Sequence, residues 1–569
     1  MYRMIGEKHL LLVAMFASVL LAGGCRTATS HPGARTRAEK PTRTAAPAPV
    51  SKGNGTKLAT AHAHFAAGVV HELNGETDLA LEEFQKAVRD DPDNEPLVLD
   101  VSRRFLQSKR PDNALGFMHA ATERPNASGE MFARLGIIYS RLGSNELAAV
   151  ANRMAIKKSP GSLEGHRNLF FSLLQARQSD EALKVLDEAA KQDSKEAEFF
   201  CGLADLYQNF ALQFPTQREA TSAKMLALLN RAESLKPKSP QTRLRIAEGF
   251  YALGKNDQAA VLFLPLLDQL DELPMIRENV RAKLADIYLR GDDHKRAREQ
   301  LEALVHDDPS NAQAHYFLGS LAYNDKNWTN AIDSLNKTLL FNQNFEPAYY
   351  DLAAAQIAAD QADDALSTIE TAQKKFPKNF ISEYLAGLAH GHKKEFPAAI
   401  RHFASAEIIA QAGEPKRLTG PFYFEVGVVH ERGGDRAEAV KYFEKCLELQ
   451  PDFPEAQNYL GYMWAEQGEN LDRARELIEK ALRAEPKSAA YLDSMAWVLY
   501  KLEQPKPALE YILKSVELSE GPDATLYDHL GDIYAALNEP DQARAAWLKS
   551  LAVERNETVH KKLDALKRE

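Results

Sequence analysis

Residues 454–488 read PEAQNYLGYMWAEQGENLDRARELIEKALRAEPKS. Apolar side chains recur there at three- and four-residue steps: Tyr459, Leu460, Met463 and Trp464 in the first half, Leu477, Ile478 and Ala481 in the second. That period marks two amphipathic helices. The turn between them, around Asn470 and Leu471, is one residue longer than its counterparts elsewhere in the chain. Gly461 and Ala474 offer short side chains where the two backbones approach each other. Pro486 ends the second helix, because proline lacks an amide hydrogen and clashes with the preceding turn.

The same unit returns along the chain with a period of 34 residues. Ala80, Ala114, Ala148 and Ala182 fall at successive steps of 34, and Gly68 and Gly136 lie two periods apart. Units start at 61, 95, 129, 163 and 197, then at 240, then at 278, 312, 346 and 380, and finally at 420, 454, 489 and 524. The eighth residue is small, as at Gly68, Gly136, Gly319, Gly427, Gly461 and Gly531, and only Phe170 departs from this. The twentieth is alanine, as at Ala80, Ala148, Ala331, Ala439, Ala474 and Ala543, except at Met225. Over residues 61–557 this pattern resembles the tetratricopeptide repeat. The resemblance implies an all-α, right-handed α-solenoid of about fourteen helix-turn-helix units. One unit cannot bury its own apolar face, so each leans on the next.

The pattern breaks at 208–220, at Pro265 and at 410–419. Pro265 is expected to kink the second helix of the sixth unit, and the two longer stretches read as loop variation or hinges. Three arrays follow, 61–277, 278–419 and 420–557, with the polar stretch 558–569 as a capping helix.

The N-terminus reads as an address. Arg3 and Lys8 precede an apolar run from Leu10 to Leu21, too short to span a bilayer and suited to a signal peptide over residues 1–25. The run ends Leu21-Ala22-Gly23-Gly24-Cys25, which resembles a bacterial lipobox with its leucine displaced by one place. The resemblance implies lipidation at Cys25 and, with Arg26 following, an outer-membrane lipoprotein facing the periplasm; an unlipidated secreted or periplasmic protein is the other reading. Residues 26–60 carry net charge +6 and few large apolar side chains, so they are expected to form a disordered linker.

The whole chain has a net charge of -10, which argues against nucleic acid as a partner. Three cysteines in 569 residues exclude a disulfide scaffold. No phosphate loop, nucleophile elbow or His-Glu-x-x-His motif occurs, so neither an enzyme with a small-molecule substrate nor a cofactor or metal site is expected. Cys201 and Cys446, and the histidines His62, His64, His71, His390 and His430, read as packing residues.

The repeat resemblance implies that certain first-helix positions face a groove that binds protein segments. Here these positions supply Tyr316, Phe317, Tyr350, Phe424, Tyr459, Tyr462, Trp497 and Tyr500, with Asp493, Asp528, His529 and Asp532 nearby. An aromatic surface with acidic neighbours suits a partner carrying apolar anchors and basic charge. The expected function is a non-catalytic, membrane-anchored interaction scaffold. A structural periplasmic part in an export or assembly machine, for a pilus, a polysaccharide or an outer-membrane barrel, is the alternative.

Overall fold

The computed structural model describes residues 52–566. The signal region, Cys25 and most of the basic segment 26–60 lie outside the described residues. Within them the chain forms twenty-nine α-helices and no strand. The helices fall into fourteen consecutive pairs followed by a last helix, Glu557–Leu566. Twelve of the fourteen first helices begin at the residue where the 34-residue spacing starts a unit, among them Glu95, Gly129, Glu346, Phe380, Pro454 and Ala524.

Local chemistry sets these starts. Side chains of Asn94, Ser128, Asn311 and Asp523 accept hydrogen bonds from otherwise free amides of the first turn. Asn379 and Ser382 form a reciprocal capping box. Proline stands in the first turn of many helices, as at Pro454 and Pro505, where its missing amide costs nothing.

The first helices end by a common device. In the second unit Lys109 N–H donates to Leu106 O and Arg110 N–H to Phe105 O, and the same two bonds recur at Arg177 and Gln178, Lys326 and Asn327, and Glu503 and Gln504. The residue between the two helices is left-handed each time. Glycine supplies it at Gly75, Gly143, Gly254 and Gly434, but larger residues adopt it at Lys109, Arg177, Lys326, Lys394 and Glu503. In the longer turn of the twelfth unit both Gly468 and Asn470 take this conformation.

Three expectations need correction. The first helix runs Lys52–Leu73, so residues 52–60 are helical and not linker. Once the packed turns around Ala61 and Phe65 are formed, each residue added upstream gains a hydrogen bond without repeating the cost of nucleation. Pro265 does not kink a continuous helix: the helix Asn256–Phe263 stops and Leu264–Gln269 continue as a 3₁₀ turn, because the proline ring clashes with the carbonyl four residues earlier. The stretches 208–220 and 410–419 are not simple loops: each begins by prolonging a helix, Ala197–Gln213 and Phe396–Gly413, and each contains a short 3₁₀ turn, Pro215–Gln217 and Pro415–Arg417.

The chain divides into two compact units, with the boundary between Gln300 and Leu301. In the first, a core from Ala80 to Ala151 includes Phe84, Val98, Phe105, Met118 and Ile138. In the second, one core runs from Tyr316 to Ala546. In the repeats with glycine at the eighth place, that glycine lies under a side chain of the second helix. A Cβ at Gly461 would stand 2.7 Å from Ile478 Cγ1 and 2.9 Å from Ala474 O. Gly68 is covered in the same way by Phe84, Gly319 by Leu335, Gly427 by Phe443 and Gly531 by Trp547. The alanines Ala80, Ala148, Ala331, Ala439, Ala474 and Ala543 are all buried at the same helix crossing.

Candidate protein-binding face

The first-helix residues singled out in the sequence divide into two groups in the second unit. Phe424 is wholly enclosed, its ring 5.7 Å from that of Phe443, 5.2 Å from Phe453 and 5.5 Å from Tyr459. It fills the space between its own second helix and the next repeat and offers nothing to a ligand. Tyr350 is buried as well: its hydroxyl donates to Glu346 Oε1 at 2.8 Å and accepts from Asn379 Nδ2 at 2.8 Å, which joins two repeats. Tyr316 is buried against Phe345 and beside the half-buried Phe317, with ring separations of 4.7 and 5.6 Å. Tyr459, Tyr462, Tyr500 and Asp528 remain half-buried.

The C-terminal repeats bring the other group together, with Trp497, Asp493, His529 and Asp532 buried and Tyr462, Tyr500 and Asp528 half-buried at its edge. The His529 ring lies 3.9 Å from the Trp497 ring and 16° from parallel with it, and Trp497 stacks on Tyr500 at 5.1 Å. The ring of Tyr462 is 6.4 Å from His529. His529 Nδ1 is 2.8 Å from Asp493 Oδ1. Asp528 and Asp532 share one cation, Lys562, whose Nζ donates to them at 2.8 and 2.6 Å. The other Asp532 oxygen accepts from Trp547 Nε1 at 3.2 Å. The Trp497 indole N–H is enclosed and has no hydrogen-bond partner.

Burial and charge oppose each other in this cluster. Burial alone would lower the pKa of His529, but the Asp493 carboxylate reverses the direction and raises it. Burial raises Asp532, and the hydrogen bond from Lys562 moderates the shift. Lys562 is itself held above the ordinary lysine value: burial works against its charge, and the bonds to Asp528 and Asp532 outweigh burial. Sequence reasoning missed Lys562, although a signal was present. It stands 34 residues after Asp528, at the place that a first helix of a further repeat would give to the same position.

Elsewhere several histidines pair with acids. His64 Nδ1 is 2.6 Å from Glu83, and His390 Nδ1 is 2.7 Å from Glu395. His71 also faces an acid, Glu76. The His430 ring stacks on Tyr442 at 5.2 Å. Cys201 and Cys446 are buried thiols pushed by burial to about 11 and about 12, far from the range of a reactive thiolate. Among the described residues no group of three or more His, Cys, Asp or Glu side chains is arranged to hold a metal, and no helix is long and apolar enough to cross a membrane.

Comparison with known proteins finds a repeat family in part of the chain. A tetratricopeptide repeat family model matches residues 53–95, 282–347, 350–415 and 427–492. A TPR repeat-containing protein of Pseudomonas aeruginosa is 28% identical over 222 residues, which is 38% of this chain and 36% of that protein. Anaphase-promoting complex subunit 6 of Arabidopsis thaliana is 26% identical over 201 residues, 35% of this chain and 36% of that protein. The chain thus spans about a third of the length of these two relatives. The solved structure of the APC/C Cut9–Hcn1 hetero-tetramer aligns over 82% of this chain and 88% of its own, at 14% identity and a TM-score of 0.35. Those four stretches carry tetratricopeptide repeats, and the described residues of each compact unit are paired α-helices.

Proposed function

We propose that this chain is a non-catalytic scaffold that binds segments of other proteins on the first-helix face of residues 301–566, and that it is held at the bacterial cell envelope by a lipid on Cys25, facing the periplasm. One observation carries the binding reading. Trp497, His529, Tyr462 and Tyr500 form an aromatic group bordered by Asp493, Asp528 and Asp532. Aromatic residues with polar ends beside partly desolvated charge are the composition of energetic centres in interfaces. The anchoring reading rests on the apolar run and its small-residue ending at Cys25.

Crosslinking on isolated membranes tests both, with wild type, Cys25→Ala, and the double variant Tyr462→Ala/Tyr500→Ala. Wild type should sediment with membranes and give one or a few discrete crosslinked species. Cys25→Ala should become soluble, and the double variant should stay on membranes but lose its crosslinks. A wild-type protein that is wholly soluble and without partners would defeat the proposal.

A further inference from the structure

The third and tenth residues of a repeat's first helix pack against the repeat before it. Phe422, third in the eleventh repeat, has its ring 5.5 Å from that of Phe380 and 6.2 Å from that of Phe403, both in the tenth. A Cβ at Gly165, third in the fourth repeat, would stand 3.1 Å from Ile156 Cγ1 of the third. Val429, tenth in its repeat, would meet a Cβ at Gly391 of the preceding one at 3.5 Å. Met131 and Ile138, Ala314 and Leu321, and Ala456 and Met463 hold the same two places, and all are buried.

The first repeat leaves these places open to solvent. Ala63 is exposed and Val70 is 55% exposed. With Ala59, Ala66 and Leu73, the last 82% exposed, they form a stripe at alternating steps of four and three residues along the helix Lys52–Leu73. That is the spacing of a helix–helix seam, and none of its residues is polar. Among the described residues no element covers it. The last repeat is finished differently. There the helix Glu557–Leu566 packs Val559 and Leu563 with Ala543 and Trp547 and exposes His560, Lys561 and Asp564, the polar cover that the end of a repeat array requires.

We infer that the helix Lys52–Leu73 is a dimerisation surface whose occupant is the same helix of a second copy of this chain, running antiparallel to it. The stripe continues the packing surface that later repeats bury between neighbours, and its order of side chains selects a second copy. A twofold axis between Ala66 and Val70 sets Leu73 of one copy over Ala63 of the other and Val70 over Ala66, so that large side chains meet small ones on both sides of the axis. The last repeat offers only the polar face of its final helix, which does not fit this joint, so copies do not add head to tail and the pairing closes at two. Residues 26–51 do not fill the joint either, because Val50 is their only large aliphatic or aromatic side chain. One helix from each copy makes a contact below the size of a stable interface, and the dimer is expected to dissociate at concentrations on the order of 10 μM.

The test uses the full chain carrying Cys25→Ala, with mass read by sedimentation velocity and light scattering from about 1 to about 100 μM. This parent should pass from monomer to dimer across the range and form nothing larger. Adding Val70→Glu and Leu73→Glu should raise the dissociation constant at least about tenfold and leave the melting curve unchanged, since both side chains stand in solvent in the single chain. Ala66→Cys in the parent should give a crosslinked dimer with a short bis-maleimide. Glu82→Cys, exposed on the second helix of the same repeat, should not; the buried Cys201 and Cys446 stay unreacted. A parent that is monomeric at about 100 μM, a dimer untouched by the two glutamates, or growth beyond two copies would overturn the inference. None of these outcomes bears on the protein-binding face proposed above, which lies in the other compact unit.

Discussion

His529 lies flat on the indole of Trp497, with ring centres 3.9 Å apart, and turns its Nδ1 to Asp493 at 2.8 Å. The two contacts pull in one direction only when the imidazole is charged: the cation is attracted both to the carboxylate and to the ring face. Burial opposes it, while Asp528 and Asp532 add to the attraction. Its folded-state value lies above that of a free histidine. The stability it contributes is therefore complete below the free-histidine value near 6.5 and is lost as pH rises through the raised one. Hydrogen exchange of residues 489–566, corrected for intrinsic rates, should speed up across that window in wild type and show no such step in His529→Gln. A flat profile in wild type would refute the assignment.

Glu383 shows the opposite sign. It is nearly inaccessible, bonds His402 Nδ1 at 2.9 Å, and is held at about 2, chiefly by that bond, against the penalty of burial. His64 and Glu83 occupy the same two repeat positions in the first unit with acid and imidazole exchanged. For Glu383 the contribution is present above the unfolded value of about 4.5 and fades as pH falls from there towards 2. Glu383→Gln should cost about 2–3 kcal/mol at pH 7, by urea unfolding followed in the second unit. At pH 3 the gap between variant and wild type should narrow sharply. An equal gap at both pH values would mean that packing, not charge, makes the difference.

The turn between paired helices gives a third expectation. Arg177 and Glu503 hold φ near +60°, a conformation that costs a residue with a Cβ on the order of 1 kcal/mol and glycine almost nothing. Part of the relief is offset by the greater freedom of glycine in the unfolded chain. Arg177→Gly and Glu503→Gly should each stabilise by roughly 0.5 kcal/mol. Gly254→Ala, at the same turn position, should destabilise by about 1 kcal/mol. Thermal melts of the three variants decide; a fall in both glycine variants would contradict the account.

Much of the fold can be read in the sequence because the repeat is a packing rule written in side-chain size. Gly461 beneath Ile478 and Gly531 beneath Trp547 leave no room for a Cβ, so the short residue and its period are visible without a structure. The left-handed turns are harder to see, since Lys109, Arg177 and Glu503 carry no local mark of a positive φ, and only alignment with Gly75 and Gly143 reveals them. Of the candidate residues, Trp497 and His529 do stack, and Asp528 and Asp532 do share Lys562, but Trp497, His529 and Asp532 are buried as Tyr350 and Phe424 are. Sequence spacing does not separate the packing positions from the half-buried Tyr459, Tyr462, Tyr500 and Asp528.

Asn152 is the clearest case of a residue at odds with its surroundings. It is fully buried, neither polar atom of its amide has a partner, and it covers Gly136 at the place where Phe84, Leu335 and Phe403 cover the small residues of other repeats. An enclosed amide without hydrogen bonds costs on the order of 1–3 kcal/mol. Leucine has the same forked side chain of four heavy atoms, though a larger volume, and Leu335 already packs over Gly319 in equivalent geometry. Asn152→Leu should therefore stabilise the first unit by about 1–3 kcal/mol, seen as a higher urea midpoint with an unchanged slope. Asn152→Ala should gain less, because it removes the unpaired amide but leaves a cavity. If both substitutions lower the midpoint, the amide is satisfied in solution by an enclosed water, and the site is a polar anchor of the third repeat rather than a defect in it.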